Sequence, residues 1–282
     1  MSTVNELKII FEQNGKLNNS LANFLKKIEA LDQHPVLNVH EISATLDKIR
    51  KISTGLPAED QVIKNLNEWV NLRSQKLNCD KKELTDQFGS QFAALLKTDN
   101  LELKGQYPDL KVKFYTTEID FFKNQILIWY GPKQELLSKV KVDVQSVYRA
   151  LKAIDKSLYE RELDETLFLQ EIHTAYMNNI SKYHLQEGSP VEILSVLKDI
   201  VFLKQDNRFN ADPKKDNFTE YGRASFSYDL FRLSNRTFGA KTLTLDVATR
   251  MKTATKSGFL WIPENNSGDG FACSHLAFKE VS

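Results

Sequence analysis

The sequence predicts an α+β protein: an N-terminal helical arm or bundle with a long heptad helix, then an α+β body with a mainly antiparallel sheet. Three observations predict it. Apolar residues recur at helical spacing through the first hundred positions, the period shifts toward two near Leu101, and Gly- and Asn-rich turns separate short β-rich runs near the C-terminus. The expected division is 1–100 for the helical part and 101–282 for the body.

The helical part opens on Thr3 and Glu6, spaced as a capping box. Val4, Leu7, Ile10, Asn14, Leu17, Leu21, Phe24, Ile28 and Leu31 then follow at alternating steps of three and four. This is a heptad stripe with one polar member, Asn14, at an a position, where an amide can fix register and oligomeric state. Gly15 weakens the helix beside it. His34-Pro35 ends the pattern, because proline disfavours helix in the residue before it. The helix spans about 43 Å at 1.5 Å per residue. Two uses fit the stripe: packing on the chain's own helices, or contact with another chain.

Further helices are expected over Val39–Ile52, from Ala58 to about Leu77, and from Asp80 and Glu83 onward, where the acidic pair reads as a helix start. In the body, residues 110–130 read as a β-hairpin with Phe121-Phe122-Lys123-Asn124 at its turn, stopped by Gly131-Pro132. The hairpin is expected to add strands to the C-terminal sheet. Helices are expected through 140–203, carrying Val140, Val144, Val147, Leu151, Ile154 and Leu158, then a segment from Leu163 to Tyr183. Ser189, Pro190 and Glu192 read as a third helix start. Residues 205–220 read as a loop, and strands are expected within 224–281: Ala224–Leu233, Lys241–Thr249, Gly258–Ile262 and Phe271–Val281.

Bulk properties narrow the function classes. With 282 residues and 41 % hydrophobic content, the chain can bury a core without disulfides or metals. Net charge is +1, so any attraction to nucleic acid must come from a local patch. Cys79 and Cys273 form no CxxC pair, and the scattered histidines suggest no metal site. The MSTVNELK start lacks the n- and h-regions of a signal peptide, and no apolar run reaches membrane-spanning length. A cytoplasmic protein without membrane contact is expected. No Walker, dinucleotide, zinc-protease, nucleophile-elbow or kinase motif is present, so no cofactor or catalytic residue is assigned.

Two constellations carry chemistry. Between Tyr221 and Ile262, Arg223, Arg232, Arg236, Lys241, Arg250, Lys252 and Lys256 face two acids, Asp229 and Asp246, giving a local charge of +5 among interleaved aromatics. Basic groups neutralise phosphates and aromatic faces stack on unpaired bases. Glu118 and Asp120 share one strand face, followed by Lys133 and Glu135. This resembles the restriction-nuclease carboxylate–lysine set only in reversed order, with no metal assigned.

The leading expectation is a non-enzymatic accessory subunit of a larger assembly. It binds a protein partner, or itself, through Leu7, Ile10, Asn14, Leu17, Leu21, Phe24, Ile28 and Leu31. The alternatives are a nucleic-acid-binding component working with an ATPase or nuclease in bacterial genome maintenance or phage defence, and a divergent Mg²⁺ nuclease.

Overall fold

A computed structural model describes residues 4–36, 38–56 and 61–280; the side chains of 4–14 fall outside it, and with them Leu7, Ile10 and Asn14. The architecture is α+β, with N-terminal helices followed by a mainly antiparallel body. The chain divides into two compact units, Met1–Ala94 with Phe121–Lys123, and Leu95–Asp120 with Asn124–Ser282.

The first unit is built from α1 (Val4–Leu31), α2 (Val39–Ser53) and most of α3 (Gln61–Lys97). Its core joins Leu21 and Ile28 of α1, Val39, Ile42, Leu46 and Ile49 of α2, and Ile63, Val70 and Leu77 of α3. Ser53 donates to Asn67 Oδ1 at 2.8 Å and Lys81 donates to Ser43 at 3.2 Å, so α2 and α3 run antiparallel. Two expected helices here are one. Asp80 starts no new helix: it is buried and accepts from Arg73 at 3.1 Å within α3. No Gly or Pro lies between Leu77 and Asp80 to stop the helix.

The second unit holds two sheets. A five-stranded meander runs in chain order through β1 (Lys104–Gln106), β2 (Asp109–Val112), β3 (Tyr115–Asp120), β4 (Gln125–Tyr130) and β5 (Glu135–Val140). The hairpin expected over 110–130 is thus its centre. It adds nothing to the C-terminal sheet, because β5 takes the second edge of β4, Ile126 pairing with Val140. Val140 is therefore strand, and the following helix, α4 (Val144–Tyr159), starts at Asp143, whose side chain accepts from the Ser146 N–H. Helix α5 (Glu165–Lys182) is capped in the same way by Asp164.

The second sheet has the order β6 (Val191–Glu192), β10 (Gly270–Glu280), β8 (Lys241–Val247), β7 (Thr237–Phe238), with β9 (Leu260–Pro263) also on β10. The helix start expected at Ser189 is displaced. Val191 pairs with Leu276, and helix α6 (Ile193–Leu203) begins two residues later. A long-range strand contact has overridden a local capping signature. The expected loop 205–220 contains a short helix, α7 (Asn207–Ala211), capped by Asp206.

The largest departure is Ala224–Leu233, which is not strand but helix α8 (Arg223–Arg232). Ala224, Phe226, Tyr228 and Leu230 mimic strand alternation, yet Ser227 and Asp229 between them are also fully buried. A helix buried on nearly every side shows no 3.6-residue stripe. Its start is capped from a distance, Glu135 accepting from the Ala224 N–H at 2.7 Å. Gln134 bridges to β9: its amide donates to the Phe259 carbonyl at 3.0 Å and accepts from the Trp261 N–H at 2.8 Å. The main core gathers α5, α6 and α8 against β8, β9 and β10.

Candidate interaction surfaces

The heptad stripe divides along α1. Leu21 and Ile28 are buried in the unit's own core, with Leu17, Phe24 and Leu31 packed partly buried against it. This half of the stripe is used within the chain. At its end Asp32 receives Arg73 at 2.5 Å, which sets the level of α1 against α3. The stretch of α3 before Arg73, Gln61 to Leu72, is about 18 Å long at 1.5 Å per residue, so α3 reaches back along α1 about as far as Ser20. Helix α2 has fifteen residues against twenty-eight in α1. Among the described residues of this unit, no helix therefore runs beside the first three turns of α1. On α3, Trp69 and Leu72 are 37 % and 59 % exposed, on the side of the helix next to the seam residues Val70 and Arg73.

The basic set is drawn from a helix, a strand and the segments between and after them. Arg223 and Arg232 lie on α8, not on a strand. Arg232 is committed inside the fold: it donates to Asp229 Oδ1 at 2.8 Å and to the Arg161 carbonyl at 2.7 Å. Asp229 is fully buried and also accepts from Arg161 at 2.6 Å and Tyr221 at 2.7 Å. Burial, then the neighbouring Asp229 carboxylate, pushes the Tyr221 phenol well above its ordinary value. Arg236 follows α8, where its carbonyl accepts from the Leu243 N–H. Lys241 pairs with Glu187, and Lys252 with Glu192. Arg223 donates to the Lys256 carbonyl at 2.7 Å, Lys256 sits 4.5 Å above the Trp129 ring, and Arg250 is exposed. Of the interleaved aromatics, Phe226, Tyr228 and Trp261 are buried, and Phe231 and Phe238 pack partly buried against the core.

Glu118 and Asp120 do share the face of β3, but Glu118 is occupied. It accepts from the Trp129 indole N–H at 2.9 Å and pairs with Lys133 at 3.1 Å. Lys133 also reaches Asp109 at 2.8 Å, the residue opposite Glu118 on β2. One lysine between two carboxylates balances one of their two charges and leaves the trio at a net −1. Among the described residues, no group of three or more His, Cys, Asp or Glu could hold a metal ion, and no helix is long and apolar enough to cross a membrane.

Sequence reasoning missed the ion triad Asp32–Arg73–Asp80. The i, i+7 spacing of Arg73 and Asp80 on one helix was its sequence signal, and Asp32 gave none. No family model, curated protein or solved structure matches the chain.

Proposed function

We propose that this chain is a non-catalytic subunit that binds a protein partner through its N-terminal helical unit. The observation that carries the reading is the length mismatch in that unit. Helix α1 continues beyond α2 and α3, and the heptad residues Val4, Leu7 and Ile10 belong to that continuation. An apolar stripe at heptad spacing gains stability when a second helix covers it. Trp69 and Leu72, exposed on α3, add apolar surface of the kind that anchors interfaces, tryptophan especially.

Site-specific photocrosslinking tests this directly. A benzoylphenylalanine at position 10 or 72 of the full chain is expected to capture a second polypeptide in the native host. The same group at Thr253, exposed in the second unit, is expected to capture none. Crosslinking at Thr253 alone would overturn the assignment of the surface.

A further inference from the structure

Strands β6 and β10 set Glu192 directly opposite His275. Directly opposed residues of an antiparallel pair share a face, so both side chains leave the sheet together. Ser195 follows on the first turn of α6. On the other side α5 ends, the chain reverses at His184 with φ +54°, and Tyr183 and Leu185 stand 51 % and 40 % exposed. These groups, with Pro190 and Val191, line an open cleft of about 320 Å³. That lies within the span of small-ligand sites, roughly 300–1,000 Å³.

The chemistry of the lip is that of a cation site. Lys252 Nζ lies 2.8 Å from Glu192 Oε1, and this hydrogen bond holds the Glu192 carboxyl below its ordinary range. Lys182 Nζ lies 5.3 Å from the centre of the Tyr183 ring. Both groups that attract a cation are thus already met by an ammonium of this chain. Each contact is exposed, and exposed ion pairs and cation–π contacts are weak enough to be exchanged. The His275 ring is fixed by its Nδ1 contact with Ser274 Oγ at 2.9 Å. Leu185, Pro190 and Val191 supply an apolar wall.

We propose that this cleft binds a protonated amine carried on an apolar stem, the ammonium meeting the Glu192 carboxylate and the Tyr183 face while the stem lies along Leu185 and Pro190. A free alkylamine and a lysine side chain of a peptide share this chemistry.

The test is a titration of the full chain, followed by the His275 ring resonances, with hexylammonium, hexanoate, hexanol and an acetylated Leu-Lys-Leu amide at constant ionic strength. Hexylammonium, the peptide or both are expected to shift His275 saturably. Response to the peptide alone identifies a protein segment as the source, and response to hexylammonium identifies a free amine. Glu192→Gln is expected to weaken binding about tenfold, the loss of one charge-assisted contact. Glu187→Gln, whose carboxylate pairs with Lys241 instead, is expected to leave binding unchanged. Leu185→Ser is expected to weaken hexylammonium and leave methylammonium unaffected. Equal binding of hexanoate or hexanol, insensitivity to Glu192→Gln, or no saturable shift with either cation would overturn the proposal.

Discussion

Arg73 and Asp32, 41 residues apart in the chain, meet at 2.5 Å, and the second guanidinium nitrogen of Arg73 holds Asp80 at 3.1 Å. Arg73 and Asp80 are both buried. Removing one partner of a buried ion pair leaves a charge without water or counter-ion. Arg73→Ala is therefore expected to cost about 3 kcal/mol in urea unfolding. Arg73→Met combined with Asp80→Leu should recover most of that loss. Equal destabilisation by the single and double variants would show that packing, not the stranded carboxylate, dominates.

Gln134 is a second long-range tie. Its amide closes two backbone hydrogen bonds on β9. Gln134→Leu keeps most of the volume and strands the Phe259 carbonyl and the Trp261 N–H. A loss of about 2 kcal/mol is expected, because each buried unpaired group costs about 1–3 kcal/mol. Hydrogen exchange at the Trp261 amide should quicken before the rest of the sheet responds.

The two cysteines should differ in reactivity. Cys79 is exposed, whereas Cys273 is buried and its thiol is pushed up to about 12, chiefly by burial. The thiolate is the nucleophile. Ellman's reagent should titrate one thiol in the native protein and two in denaturant, and Cys79→Ser should abolish the native reaction.

His173 should make stability fall on acidification. Its ring stacks 4.5 Å from Phe238 and meets Phe278 at 4.9 Å. Burial, aided by Lys241 and opposed by Glu187, holds its pKa below the ordinary value. A depressed folded-state pKa favours the neutral ring, so its contribution is present above the unfolded value, about 6.5, and is lost as pH falls toward the folded value. His173→Phe keeps the stacking and removes the titration. The variant should lose less stability than the natural protein between about pH 7 and pH 5.

These residues also show where the sequence was legible. Helix α1, the hairpin β3–β4 and the strands β8, β9 and β10 were readable because each carries its own signal: a heptad, alternation, or a Gly/Asn turn. Helix α8 was not, because its cap, Glu135, lies 89 positions earlier in the chain and its burial erases the helical stripe. The start of α6 was misplaced for a related reason, since Val191 and Glu192 are strand only through β10. Charge was least legible. Arg232 looked like part of a basic patch, yet it serves buried Asp229, so its reversal should unfold the second unit, whereas reversal of exposed Arg250 should not.

The first turns of α1 are the proposed partner-binding element. The decisive measurement is quantitative co-purification of the tagged full chain from its native host, comparing the natural sequence, Leu7→Glu with Ile10→Glu, and Arg250→Glu. Circular-dichroism melting checks that all three are folded. The crosslinked partner is expected to be retained by the natural chain and by Arg250→Glu, and to fall at least tenfold with the Leu7 and Ile10 pair. Undiminished recovery from the folded Leu7 and Ile10 variant would contradict that role of α1.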